Sequence, residues 1–205
     1  MHGMRGCALA VGSLGLVALS VLPVRAADTG LAGSTEIAGG YSYVRDTNSS
    51  TSFPAGWFFS AGANISDTFS VVGDISGYYK SESTTFAGST LTASANLHTL
   101  LGGPRVQGHS GPISFYGQFL VGAARRSAGV SQSGGGITQA ASGSDTEFCL
   151  APGAGVDFSL GERAALRAGV SERLIRSMAG PSVTPPPTFQ KEFQLQIGLV
   201  YRFGN

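Results

Sequence analysis

The stretch FQLQIGLVYRF, residues Phe193–Phe203, decides the fold. Phe193, Leu195, Ile197, Leu199, Tyr201 and Phe203 alternate with Gln194, Gln196, Gly198, Val200 and Arg202. Successive strand side chains point to opposite faces. The stretch therefore predicts a strand with one wholly apolar face and one mostly polar face. A soluble sheet turns its polar face to water. A transmembrane barrel turns its apolar face to lipid and its polar face inward. The rest of the chain separates the two.

The N-terminus reads as a processing signal. A short start containing Arg5 precedes an apolar stretch from Ala8 to Leu22, and Val24-Arg25-Ala26 offers the small residues a signal peptidase reads. Residues 1–26 are expected to leave, with a barrel domain at 27–205. Arg5 and Arg25 go with them, so 11 Lys and Arg face 12 Asp and Glu. That balance gives no electrostatic case for nucleic acid. Cys7 goes too, and Cys149 alone allows no intrachain disulfide. No later stretch is apolar enough for a membrane helix. Charged residues make up 12% of the chain, against about 25% in ordinary soluble domains. So few charges suit a lipid-facing barrel.

Eight strand-like segments follow: Thr35–Val44, Ala55–Ile65, Thr68–Lys80, Leu91–Val106, Ile113–Ala124, Thr146–Ser159, Ala164–Ile175 and Gln190–Phe203. Apolar rows such as Trp57, Phe59 and Ile65, or Phe115, Phe119 and Val121, alternate with small or polar residues. In the fourth segment Leu100 and Leu101 are adjacent; the favoured phase puts Leu100, Pro104 and Val106 outward. Pro152 stands inside the sixth, where it removes a ladder hydrogen bond. Short joins (Ser66-Asp67, Gln107–Pro112, Leu160–Arg163) alternate with longer ones (Arg45–Pro54, Ser81–Thr90, Arg125–Asp145, Arg176–Phe189). This is the layout of an all-β, eight-stranded antiparallel up-and-down transmembrane barrel, with short turns at one end and external loops at the other. Inward glycines such as Gly155 and Gly169 leave room for Tyr78, Tyr116, Arg105 and Arg167.

Several segments resemble the eight-stranded outer-membrane β-barrel family, the OmpA-like and OmpX-like barrel domain. They are Ala38–Val44, Val72–Tyr79, His98–Arg105, Phe119–Arg125 and Ile197–Gly204. The resemblance implies a cell outer membrane location, with lipid and lipopolysaccharide around the barrel. It also implies that the final strand, with Leu199, Tyr201 and Phe203, is the signal read by the barrel-assembly machinery. Gly204 and Asn205 follow Phe203 here, where many family members end on the aromatic.

The inward ionisable set is Glu36, Asp74, Arg105, Asp157, Arg167, Arg173 and Arg202. Charges inside a membrane barrel pair or are hydrated, and the favoured reading is a salt-bridged plug over an ion path. Glu36 is expected near Arg202, and Asp157 near Arg167. Tyr41, Tyr43, Trp57, Tyr79 and Tyr201 are candidates for aromatic girdles. Arg125 and Arg126 open the third loop, as a lipopolysaccharide contact or a solvated pair. His109-Ser110 and His98-Thr99 lack the carboxylate that a catalytic set needs. Two histidines and one cysteine make a poor metal set, and no cofactor is expected. The Gly-rich Ser133–Ile137 reads as a flexible external loop.

The expected function is non-enzymatic: a structural or surface-interaction role through four external loops, whose ligand the sequence does not name. A narrow porin-like channel of the same fold is the alternative. A soluble periplasmic calycin-like barrel with its apolar rows inward is a second.

Overall fold

The computed structural model describes residues 32–47, 52–86, 89–134, 137–176 and 189–204. The expected signal and most of the Arg176–Phe189 join lie outside these residues. Nine strands are present among them: β1 (Thr35–Asp46), β2 (Ser52–Phe53), β3 (Ala55–Asn64), β4 (Phe69–Phe86), β5 (Ser89–Ser110), β6 (Ile113–Gly134), β7 (Ile137–Ser159), β8 (Ala164–Arg176) and β9 (Phe189–Phe203). Eight long strands make the wall. The two-residue β2 is an addition that pairs with the end of β1, Val44 opposite Phe53.

All neighbours are antiparallel, and β1 pairs with both β3 and β9, so the sheet closes. The seam runs unbroken from Thr35 opposite Phe203 to Asp46 opposite Glu192. Closure satisfies backbone groups that lipid cannot.

The faces divide by alternation. Trp57, Phe59, Val71, Ile75, Phe119, Ile197 and Leu199 are exposed on the outside. Ser42, Ser60, Asp74, Thr99, Arg105 and Arg167 are buried inside. Leu100 is 64% exposed and Leu101 only 4%, which sets the phase of β5 as expected. An apolar pocket lined by the aromatic rows, the soluble-barrel alternative, is ruled out because those rows point outward. The bore is filled. Val72, Leu97, Leu101, Leu120 and Ile175 pack in one buried cluster, and Ala38, Phe58, Ala165 and Val200 in another. Two glycines seat one large ring: a Cβ on Gly155 or Gly169 would stand 2.5 Å from the Tyr116 hydroxyl.

Both strand prolines leave marks on the ladders. The β7–β8 register skips from Leu150 to Gly153 around Pro152. The β5–β6 register skips Gly103 and Pro104. Each proline lacks the N–H that one neighbour needs and keeps its pairing on the other side, Phe119 with Pro152 and Val71 with Pro104.

Two expected loops are corrected. The Ser81–Thr90 loop is mostly strand, since β4 and β5 stay paired to Phe86 opposite Ser89. The Arg125–Asp145 loop is mostly strand as well, paired to Gly134 opposite Ile137. Ser133 and Gly134 therefore end β6 and Ile137 opens β7, while the middle of the Gly-rich Ser133–Ile137 lies outside the described residues. At about 3.3 Å per residue, the 22 residues of β5 extend about 70 Å, more than twice a hydrocarbon core of about 30 Å. Because β5 and β6 also stay paired up to Thr90 opposite Ser133, β4–β7 continue past the barrel as one four-stranded sheet. At the other end, Gly111-Pro112 turns β5 into β6 with Gly111 at φ 59°, the left-handed conformation that tight hairpins use.

Candidate functional site

The candidate site is the polar interior and the rim above it. Its first cluster lies toward the short-turn end. Glu36 on β1 is directly opposite Arg202 on β9, and Asp157 on β7 is directly opposite Arg167 on β8. Arg167 donates from Nε to Asp157 Oδ1 and from Nη2 to Oδ2, both at 2.8 Å, and from Nη2 to Glu36 Oε1 at 2.9 Å. Arg202 Nη2 reaches Asp157 Oδ2 at 3.1 Å, and its Nε lies 3.8 Å from Glu36 Oε2. Arg105 donates Nη1 to Glu36, and its Nη2 and Nε to Gln118 Oε1 at 2.8 and 3.1 Å. Tyr116 lies between Arg105 and Arg167, with their guanidinium carbons 4.6 and 4.9 Å from its ring centroid. Three guanidiniums thus share two carboxylates and one ring in a buried space. Such pairs hold together only when their remaining donors are satisfied, and Gln118 serves that purpose for Arg105.

The second cluster lies above it. Arg173 donates Nη2 to Ser76 Oγ at 2.8 Å and to the Tyr78 hydroxyl at 2.7 Å, and stacks on the Tyr78 ring at 4.7 Å. Gln194 Nε2 donates to the same hydroxyl at 2.6 Å and to Ser42 Oγ at 2.9 Å. Asp74 is buried, with Gln196 and the positive charge of Arg173 acting on its carboxylate. The seven inward residues thus form two clusters rather than one chain.

Sequence reading missed the cap. Arg126 points inward, not outward with Arg125. Its Nη2 lies 2.7 Å from Glu192 Oε1 and its Nε 3.5 Å from Glu147 Oε2, and Nη1 donates to Gln190. The signal was present: Glu192, inside the expected Gln190–Phe203 segment, is in phase with inward Gln194, and Arg126 is in phase with inward Gln118 once its strand is extended past Ala124.

Outside, Tyr41, Trp57, Tyr79 and Tyr201 are exposed and Tyr43 is half-buried. Trp57 Nε1 donates to the Tyr79 hydroxyl at 3.4 Å, and that hydroxyl lies 3.2 Å from His98 Nε2. Leu199, Tyr201 and Phe203 form the outward row of β9 at the short-turn end. His109 Nδ1 pairs with Ser114 Oγ at 2.7 Å rather than with its neighbour Ser110. Among the described residues no group of three His, Cys, Asp or Glu is arranged to hold a metal.

A family model described as "Outer membrane protein beta-barrel domain" matches residues 14–203. Among solved structures the chain is similar to Ail, the attachment invasion locus protein of Yersinia pestis, in complex with the heparin analogue sucrose octasulfate. The TM-score is 0.56 at 19% identity, covering 84% of this chain and 99% of that one. A second structure of Ail gives 0.51 at 19% identity, with 84% and 99% covered. Neisserial surface protein A gives 0.49 at 14% identity, covering 83% and 96%. Identities this low show a shared fold alone. No curated protein sequence matches.

Proposed function

This chain belongs to the outer membrane protein beta-barrel family, and within it we propose a non-enzymatic barrel that displays the β4–β7 sheet at the cell surface. Like its family, it sits in the bacterial outer membrane. The observation that carries the proposal is the continuous sheet above a filled bore. Beyond Tyr79, β4 has no strand on its far side among the described residues, and neither does β7 before Phe148. Such edges present unpaired N–H and C=O groups that an incoming extended segment can bond. The projecting part has little charge. From Ser81 to Phe86, Ser89 to Leu97, Ser127 to Ser133 and Thr138 to Glu147 it carries Glu82, Asp145 and Glu147 and no Lys or Arg. A sulfated sugar such as the sucrose octasulfate of the Ail complex finds no cationic partner there, which favours a protein segment recognised through its backbone.

The clusters of Arg167 and Arg173 act as a plug that ties strands together, and the narrow channel gives way to it because apolar side chains also cross the bore. Lipid and lipopolysaccharide surround the barrel, and the assembly machinery reads the Leu199–Phe203 row. The test replaces residues 83–92 and 130–141 by Asn-Gly turns, at points where Glu82 faces Ala93 and Gly129 faces Ser142. Binding of an extended peptide that pairs with the sheet edges should vanish while solute permeability stays unchanged. Solute flux through both forms of the barrel would overturn the proposal in favour of the channel.

A further inference from the structure

The wall splits at Pro54. Below it, β3 pairs with β4 up to Ala55 opposite Tyr79. Above it the chain leaves that ladder, and Ser52 and Phe53 pair with β1 instead, opposite Arg45 and Val44. Proline has no N–H to offer a ladder, so the break falls there. Beside the break opens a cleft of ≈ 470 Å³, with Ser52 and Pro54 on one flank and Tyr79, Lys80, Ser81 and Glu82 on the other. β4 runs on to Phe86 with β5 paired along its other side. Among the described residues no strand continues the line of β3 beside Lys80–Phe86.

This edge has an ordered chemistry. Strand alternation puts Lys80 and Glu82 on one face and Ser81, Ser83 and Thr85 on the other. Lys80 Nζ lies 3.0 Å from Glu82 Oε1, with the two side chains 28% and 71% exposed. An ion pair so open to water is weak, and both groups can turn to new partners. On the second face Ser83 and Thr85 bond the hydroxyls of Thr92 and Thr90 on β5, each at 3.0 Å. A hydroxyl has one donor and two acceptor sites, so each can also serve a strand on its open side. The β7 edge lacks this alternation: its charges are Asp145 and Glu147, both acidic, and Glu147 already faces Arg126.

A strand that follows the course of β3 runs antiparallel to β4. The residue it sets opposite Glu82 then comes two positions before the residue opposite Lys80. Opposite charges on directly facing residues attract and like charges repel. We propose that the β4 edge takes an extended peptide with a basic residue opposite Glu82 and, two residues later, an acidic residue opposite Lys80, with Ser or Thr at the alternate positions. The assignment rests on the reading of the sheet edges as a protein-binding surface, and adds which edge is used and in which order the charges run.

Two fluorescent peptides of one composition, Thr-Val-Thr-Arg-Thr-Glu and Thr-Val-Thr-Glu-Thr-Arg, titrated with the refolded protein in detergent and read by anisotropy, test this. The first should bind about tenfold tighter, because the second turns two facing attractions into two repulsions. The doubly exchanged variant, Lys80→Glu with Glu82→Lys, keeps the net charge and should keep the heat-shifted band. Its preference should invert. Equal affinity for the two peptides, or a preference that survives the exchange, would overturn the charge order and leave edge recognition standing. Binding of neither peptide would overturn edge recognition with it.

Discussion

Arg167 grips both carboxylate oxygens of Asp157 at 2.8 Å, the residue directly opposite it on β7, while its Nη2 also reaches Glu36 on β1. One guanidinium thus links β8 to its neighbour and, past β9, to the first strand of the chain. The closing seam is held from inside by this link as well as by its backbone ladder.

Removing that guanidinium leaves two buried carboxylates to share Arg105 and Arg202. Breaking a buried pair from one side costs about 3–5 kcal/mol. Arg167→Ala should therefore lower stability by about 3 kcal/mol, read as an earlier urea midpoint of the heat-shifted band. Conductance in planar bilayers should stay near zero, because Phe58, Leu101, Leu120 and Tyr116 still cross the bore. A large conductance in the variant would show that the charged cluster alone seals the barrel.

Tyr116 and its glycine seats make a second, sharper case. A Cβ at Gly169 meets only the Tyr116 hydroxyl at 2.5 Å, with its other neighbours at 3.7 Å. At Gly155 a Cβ also meets the Ala168 carbonyl oxygen at 2.5 Å, and backbone cannot swing away. Both Gly→Ala changes should destabilise by about 1–3 kcal/mol. Tyr116→Phe should rescue Gly169→Ala and fail to rescue Gly155→Ala. Double-mutant cycles in urea measure the difference, and equal rescue at both sites would refute the packing argument.

The paired extensions above the barrel predict slow amide exchange where loops would exchange at once. Amides of β5 and β6 that bond across Leu91–Leu97 and Arg126–Gln132 should be protected well above random-coil rates. Hydroxyl pairs across β4–β5, Ser83 with Thr92 at 3.0 Å and Thr85 with Thr90 at 3.0 Å, add to the ladder there. Full exchange within seconds at these positions would restore the loop reading of Ser81–Thr90 and Arg125–Asp145.

Those extensions also mark where the sequence stops being legible. Inside the membrane each strand must be apolar on one side, so Phe193–Phe203 or Trp57–Ile65 declare their phase by period two. Above it both faces of the sheet meet water, and segments such as Ser127–Ser133 have no reason to alternate. The Ser, Thr, Ala and Gly that remain look like loop. The same blindness hid Arg126, since its inward direction follows only if the strand continues past Ala124. Inward apolar residues such as Phe58, Leu97 and Leu120 were hidden for another reason. In a filled bore the inner face need not be polar, so alternation of size replaces alternation of polarity.

Cys149 gives a direct reading of that filled interior. It is fully buried among Leu97, Ala124 and Ile175. A maleimide should not modify it in the folded barrel and should modify it fully after heat denaturation. Rapid labelling of the folded form would mean that water and reagent reach the bore below the Arg126 cap.

The C-terminal row raises the last question, whether Phe203 serves the folded barrel or its assembly. Its ring meets Tyr201 edge to face at 4.8 Å, lies outside the barrel, and faces Thr35 across the seam. That seam joins the two strands farthest apart in the chain, the pairing with the highest loop-closure cost. A row that is recognised before β1 arrives would offset part of that cost, and such a role needs the aromatic on β9 in particular. Phe69 provides the control, because it is also exposed at the short-turn end but stands on β4. After purification and refolding, Phe203→Ala and Phe69→Ala should each unfold within about 1 kcal/mol of the parent. In cells, Phe203→Ala alone should reduce the heat-shifted outer-membrane form several-fold. Equal loss in both variants would make Phe203 one more lipid contact and remove the assembly role from the Leu199–Phe203 row.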